Sequence, residues 1–404
     1  MDNIFEYYTL KLTAKSPVFV GSGQSFDKKD FCLLKKTDKI RFMDVDKLIE
    51  YLSQSDRNME LFEKFMLEDK TLAKEKTLSK SGKLYKGTDC LEKKWLNIFL
   101  NLIEMPVTQR ERCAIYEIDN EGMFQEENTP CEIQRFMRGA DGRAYIPGSS
   151  VKGMLRTALL QYLIRQNPDK LPYGENIKRT EKDLDSTLIN TLALKYKEGV
   201  PDTANAVNSI MKGISISDSE PISNDYFTVC KKIDMSPKNK QGEINTAREC
   251  IKPYEEVIFH MKVDKRYFKP VGITTDTKEL FSEMIKSFDN EYRKFYLTKF
   301  RNVDFNDTEL KNDFLVIGGG SGYFGKNVIY TRYGFQKGLK KVSKYMYEKD
   351  LDKDGNPKDK DGKMKNPDDF HNHGISPHML KLTEYQGEMY HMGICDVDLE
   401  RETI

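Results

Sequence analysis

The residues best suited to chemistry lie in Ile146-Pro147-Gly148-Ser149-Ser150-Val151-Lys152-Gly153-Met154-Leu155-Arg156. A Pro-Gly-Ser-Ser turn runs straight into an amphipathic segment. The start of a helix exposes unpaired backbone N–H groups at the positive end of its dipole, and so attracts phosphate. Ser149 and Ser150 add hydroxyls to that end. Lys152 and Arg156, spaced i and i+4, stack on one face. The apolar stripe Val151, Leu155, Ala158 and Tyr162 runs beside them. One side is suited to docking on a sheet while its neighbour holds an anion.

A second candidate is Gly318-Gly319-Gly320-Ser321-Gly322-Tyr323-Phe324-Gly325-Lys326. Gly320, Gly325 and Lys326 fit G-x-x-x-x-G-K, the phosphate loop of nucleotide hydrolases. The next residue should supply a hydroxyl to Mg²⁺, and it is Asn327. Val328-Ile329-Tyr330-Thr331 is a β-favouring run where a helix is required. The better use is different: backbone without side chains lies close to a phosphodiester, while Tyr323 and Phe324 stack on bases. Gly21-Ser22-Gly23 repeats this chemistry in miniature. Asp27 and Asp30 follow it. A loop carboxylate beside RNA serves 2′-OH cleavage, and a surface carboxylate is also simply solvated; both readings stay open. Asp350–Gly355 matches half of a calcium loop, but Pro357 interrupts it. His371, His373 and His378 cluster without a nearby cysteine and read as a polar loop. No metal or cofactor is expected.

Regular elements must position these groups. Leu10, Leu12 and Ala14 alternate with Lys11, Thr13 and Lys15, which predicts a half-buried strand ahead of the first glycine motif. Ile40–Met43, Ile214–Ile216, Val257–Val263, Phe314–Ile317 and Gly393–Leu399 read as further strands. Helical spacing covers 44–68, 92–103, 149–165, 181–197, 203–212 and 277–299. In the last of these Leu280, Met284, Phe288, Tyr292 and Phe295 share one face. Trp95 reads as a core residue. Residues 69–94 are Lys-rich and read as a mobile loop; residues 348–369 read as a disordered insertion. Strands and helices intermix without a βα rhythm, which favours α+β.

A chain of 404 residues favours two or three domains. Its net charge of +1 neither demands nor excludes nucleic acid. The charge is segregated, however. Residues 135–165 hold Arg135, Arg138, Arg143, Lys152, Arg156 and Arg165 against Asp141 alone. Residues 314–347 hold Lys326, Arg332, Lys337, Lys340, Lys341 and Lys344 with no acid. Packed together, these zones form one basic groove. The seven scattered cysteines include no CxxC and read as reduced thiols. No apolar run approaches the ~20 residues of a membrane helix, and the first residues lack a signal-peptide pattern. The expected location is the cytoplasm.

Ser16-Pro17-Val18-Phe19-Val20-Gly21-Ser22-Gly23, the Ile146–Arg156 motif and the Gly318–Lys326 cluster together resemble a RAMP protein of CRISPR systems. With the strand-ending Ser217-Asp218-Ser219, the chain is most similar to the subunit capping the 3′ end of the guide RNA in type III-A (Csm) effector complexes. The resemblance implies two ferredoxin-like (RRM-like) modules with long insertions. They divide as 1–215, carrying a helical insertion, and 216–404, carrying the Gly-rich loop. It implies binding of guide RNA (crRNA), packing against a backbone RAMP subunit and other subunits, and an influence on 3′ trimming by an external nuclease. The implied RNA surface is Gly21, Ser22, Gly23, Ser149, Ser150, Lys152, Arg156, Gly319, Gly320, Gly322 and Lys326; Arg138 joins it from the first basic zone. Relatives often carry His where Phe19 stands, which weakens a histidine-dependent ribonuclease reading. The paralogous backbone subunits cut with a loop Asp. Asp27 or Asp30 would take that part if this chain were a metal-dependent endoribonuclease, but a capping subunit is not expected to cut.

Overall fold

The computed structural model describes residues 4–80, 82–124, 130–171, 173–174, 176–242, 244–307, 310–349, 351 and 374–403. A five-stranded antiparallel sheet is built from β1 (Phe5–Ala14), β2 (Ile214–Ile216), β3 (Glu256–Asp264), β4 (Leu315–Val316) and β5 (Ile394–Arg401). Their order is β2-β3-β1-β5-β4. Burial alternates at every residue of β1, as a half-buried strand requires. Helices α1 (Gly148–Gln166) and α2 (Thr277–Phe295) pack against each other and on this sheet. The path β1-α1-β2-β3-α2-β5 is that of one ferredoxin-like unit. Leu280, Met284, Phe288, Tyr292 and Phe295 are all buried, as their spacing predicts. In α1 burial goes beyond the expected stripe to Met154, Leu159, Leu160, Leu163 and Ile164, because the helix is flanked on several sides.

A seven-stranded sheet lies beside the first. Its order is Gly21–Asp27, Glu132–Phe136, Thr246–Ile251, Phe227–Lys231, Ala114–Asp119, Lys39–Met43, Phe31–Leu34. Two of its junctions are parallel, and it does not repeat the connectivity of the first sheet. The architecture is mixed α and β, as expected. The division at 215/216 falls inside β2, and both sheets combine strands from either side of it. One contiguous apolar core joins them.

Several segments differ from their sequence reading. Residues 69–94 are built into a lobe with its own core. A hairpin pairs Lys76–Leu78 with Leu84–Lys86, and a helix covers Gly87–Lys93. Leu72 and Cys90 anchor this stretch and are fully buried; two anchors so far apart leave no periodicity to read. Gly21-Ser22-Gly23 begins a strand with an irregular register. Of 181–197 and 203–212, helix persists only over Ile177–Leu184 and short turns after it. Val328–Thr331 is not a strand: helix α3 spans Ile329–Lys349, with a break at Gly334 (φ 70°). Asn327 Oδ1 accepts the Ile329 N–H (3.0 Å), and Ile329 and Tyr330 are buried, so capping and packing override β propensity. The expected disordered insertion near 348–369, the Asp350–Gly355 motif, and His371 and His373 lie largely or wholly outside the described residues.

The start of α1 is clamped from one side. Gly148 N–H donates to Asp218 Oδ1 (2.9 Å) and Ile146 N–H to Ser219 Oγ (3.0 Å). A Cβ at position 148 would collide with the carbonyl oxygens of Ile216 and Ser217. Gly148→Ala is therefore expected to lower stability by about 2–3 kcal/mol, read as a lower urea midpoint at unchanged m.

Candidate nucleic-acid interface

The three motifs meet at Phe19. Its neighbours are extended and tied to the seven-stranded sheet: Val18 exchanges hydrogen bonds with Ile251, and Val20 O accepts Met137 N–H (2.8 Å). The Phe19 carbonyl accepts Gly319 N–H (2.8 Å). The Phe19 ring fills the space where side chains of Gly21 and Gly319 would go, with Cβ positions 2.6 and 3.2 Å from ring carbons. Gly318 has φ 89°, a region closed to most side chains, and its Cβ position collides with Phe19 O. The first glycine motif and the glycine loop are thus pressed together across one aromatic ring.

The start of α1 closes the third side. Together these segments form an open cleft of ≈ 450 Å³. Val20 and Gly21 line it from the first motif, Ser149, Ser150, Gly153, Met154 and Thr157 from α1. Val316, Ile317, Gly318, Gly319, Gly325 and Lys326 complete it. The lining contains no carboxylate. Its polar groups are hydroxyls, glycine backbone, the first turn of a 19-residue helix and one ammonium group. Pro147 at the helix start has no side chain able to cap that turn. Desolvation, and then the Arg248 guanidinium, hold Lys326 below the ordinary lysine range. Such a cleft suits the phosphodiester of a nucleic acid strand.

Of the sequence candidates, the cleft brings together Gly21, Ser149, Ser150, Gly319 and Lys326. Ser22 and Gly23 follow on the strand, but Ser22 Oγ donates to Arg135 O (3.2 Å). Gly320 is buried behind the loop, and Gly322 lies against Lys381. Lys152 and Arg156 point elsewhere: they sit roughly 90–130° around the helix from the cleft. Arg156 is engaged by Asp185, and Lys152 is half-buried and held below the usual lysine range by desolvation. Arg138 leaves the candidate set. Its side chain is 2% exposed, lies over the Tyr116 ring (3.6 Å) and neighbours buried Glu249 (3.9 Å). Arg165 is taken by Glu291 and Arg143 by Asp141. Most of the first basic zone is therefore neutralised or buried, whereas Lys337, Lys340 and Lys344 of the second are exposed. Phe324 belongs to an aromatic cluster with Tyr292, Tyr296 and Tyr330 and is not available to stack on bases.

Two other placements matter. Asp27 Oδ1 accepts Lys29 N–H (2.6 Å) and Asp30 Oδ2 accepts Asp27 N–H (2.9 Å), so both carboxylates build their own turn. That turn is at the far end of the Gly21–Asp27 strand, about 20 Å from the cleft at an extended rise. The open face of the five-stranded sheet carries Asp396, Asp398 and Glu400 opposite Thr13, Lys11 and Thr9. Lys11 pairs with Glu400 (2.6 Å) and Lys15 with Asp396 (3.1 Å). An acidic row is a poor platform for the base stacking that RRM sheets provide. Among the described residues no group of three His, Cys, Asp or Glu side chains is placed to hold a metal ion, and no helix is long and apolar enough to cross a membrane.

Sequence reasoning missed Gly153 and Arg248 as site residues. Arg248 carries no local signal. Gly153 does: it is a glycine inside a helix, exposed, with nothing within 4 Å of its Cβ position. Packing does not demand it, and it opens onto the cleft.

The RAMP superfamily model matches residues 11–326. The chain is 25% identical over 422 residues to the CRISPR system Cms protein Csm5 of Mycobacterium tuberculosis (H37Rv), covering 99% of this chain and 100% of that protein. It is 26% identical over 312 residues to Csm5 of Streptococcus thermophilus, covering 74% of each. Its fold resembles a chain in the cryo-EM structure of a Csm–crRNA–target RNA ternary complex of a type III-A system. The TM-score is 0.61 at 15% identity, covering 97% of this chain and 100% of that one. The crystal structure of T. onnurineus Csm5 matches with a TM-score of 0.56 at 15% identity, covering 95% and 99%.

Because no packing contact requires a glycine at 153, Gly153→Ala is expected to raise stability by about 0.5–1 kcal/mol, the helix-propensity gain. A denaturant midpoint moving up, opposite in sign to that of Gly148→Ala, is the check.

Proposed function

The chain belongs to the RAMP superfamily, and on that premise we propose that it is a non-catalytic RNA-binding subunit of a type III-A CRISPR effector complex. It binds the 3′ part of the guide RNA, packs against a backbone RAMP subunit, ends the protein filament, and thereby influences how far an external nuclease trims the guide. The observation that carries this reading is the carboxylate-free cleft where Ser149, Ser150, Gly319 and Lys326 converge. Full-length similarity to Csm5 proteins supports the assignment to this subunit.

The cleft grips by charge and shape. The Ser149 and Ser150 hydroxyls at the start of α1 donate to phosphate oxygens, Lys326 supplies the countercharge, and the glycine backbone lets the strand come close. None of these groups reads a base edge, so the grip is independent of sequence. Asp27 and Asp30 serve the turn that contains them, which argues against a metal-dependent endoribonuclease built on either.

Lys326→Ala is expected to weaken binding of single-stranded guide RNA roughly 3- to 10-fold at every sequence. It is also expected to reduce the slope of log K against log salt by about 0.7, one phosphate contact on a single strand. Arg156→Ala, whose guanidinium is already engaged by Asp185, leaves both unchanged. An unaltered slope for Lys326→Ala would overturn the reading. Nucleic acid extracted from the co-purified complex is expected to be a short, uniform RNA with a shared 5′ tag.

A further inference from the structure

We propose that Arg248 forms a second anion site behind the glycine loop, which holds a phosphate group adjacent to the one in the cleft. Identifying that phosphate as part of the guide strand rests on the function proposed above; the anion site itself does not.

Arg248 lies on the Thr246–Ile251 strand, in the interior of the seven-stranded sheet, and is 6% exposed. Its Nε donates to Gln134 Oε1 (3.0 Å), its Nη1 lies 3.3 Å from Met392 Sδ, and the guanidinium sits over the Phe19 ring (5.3 Å). Among the described residues no carboxylate lies within 4.0 Å of it. Asp234, the carboxylate whose charge acts on it, is held by Lys381 Nζ at 2.5 Å. Other guanidinium groups of similar burial are matched. Arg41 has Glu117 (2.6 Å), Arg138 faces Glu249, and Arg110 donates to the carbonyls of Met105 and Leu100. Arg248 has only an amide oxygen and a thioether. A buried charge is costly unless paired or well hydrogen-bonded, so this one is set for a partner that the described residues do not supply.

Its surroundings point to the sign and place of that partner. Its contacts are an amide, a thioether, an aromatic ring and glycine backbone, and two cations, Lys326 and Lys232, are held low by desolvation first and by Arg248 next. Gly320 lies directly across the guanidinium, its Cβ position 3.2 Å from Nη1. Gly319, one residue earlier, lines the cleft. Arg248 Nη2 has no protein hydrogen bond and is not sealed from solvent. The exposed backbone at Gly319 thus brings a strand in the cleft to within one residue of the glycine that faces Arg248. The planar fork of arginine matches phosphate oxygens in a way lysine does not.

The test uses the full chain with Arg248→Met and Arg248→Lys, inorganic phosphate and single-stranded guide RNA. Inorganic phosphate is expected to raise the Tm of the wild type above that in chloride of equal ionic strength, with the rise reduced in Arg248→Met. Without phosphate, Arg248→Met is expected to be at least as stable as the wild type, because a lone buried charge has gone. RNA affinity is expected to fall roughly 5- to 20-fold in Arg248→Met, with the salt slope reduced by about 0.7. Arg248→Lys keeps the slope and loses part of the affinity; it carries the test if Arg248→Met does not fold. A lower Tm for Arg248→Met with unchanged phosphate and RNA responses overturns the proposal and makes Arg248 a packing residue. So does loss of assembly with a neighbouring subunit while both anion responses persist, which would assign the partner as a protein carboxylate. An Arg248-dependent phosphate response in a protein that binds no RNA upholds the anion site and overturns the RNA reading. RNA binding indifferent to Arg248 does the reverse.

Discussion

Phe19 occupies the one point where both sheets, the first glycine motif and the glycine loop come within contact distance. Its carbonyl holds Gly319, its ring excludes side chains at 21 and 319, and its neighbours Val18 and Val20 are tied into the seven-stranded sheet. Just before it, Pro17 O accepts Gly393 N–H (3.0 Å) and Ser16 Oγ accepts Ile394 N–H (2.9 Å), which fastens the same segment to β5. A short extended stretch thereby joins two sheets whose strands come from all parts of the chain. The cleft is the space left where α1 approaches this junction. Its walls are backbone held by backbone, so the donors around it are positioned before any ligand arrives.

The electrostatic character of the cleft follows from what is missing. The chain is close to neutral, and its acids reach several of its bases: Arg156 finds Asp185, Arg165 finds Glu291, Lys252 finds Asp119. At the cleft the balance fails. No carboxylate lines it, and Lys326 is its one cation, although Asp218 meets the start of α1 from the other side at the Gly148 N–H. Behind the loop the imbalance continues, because Arg248 disfavours the charge of Lys326 and Lys232 and, among the described residues, has no carboxylate paired with it. Local charge, rather than total charge, suits this surface to a polyanion.

Glycine does two kinds of work in the same few ångströms. At 21, 148, 318 and 319 it is required by the protein itself, since each Cβ would meet ring or backbone atoms. At 153 nothing in the protein forbids a side chain. Gly153 therefore leaves the α1 wall of the cleft open, whereas the others hold the scaffold together. The motif spelling alone does not separate these roles.

Much of the scaffold is readable from local pattern. The alternation through Leu10, Leu12 and Ala14 placed β1, the spacing from Leu280 to Phe295 placed α2, and Trp95 is in the core, because burial of one face imprints a period on neighbouring residues. The same physics hides Phe227–Lys231 and Thr246–Ile251: strands covered on both faces show no alternation, and their burial is nearly continuous. The three glycine- and serine-rich motifs, their residue types and the likeness to RAMP proteins were all present in the linear chain. Which members of those motifs face the cleft was not. Arg138 and Arg156 are spelled like anion ligands, but Glu249 and Asp185, distant in sequence, claim them; Arg248 is spelled like any strand residue, and no acid comes to it. Residue type and periodicity are local properties that a sequence determines by itself. Charge pairing and exclusion of water depend on contacts across the whole fold, and only the tertiary structure decides them.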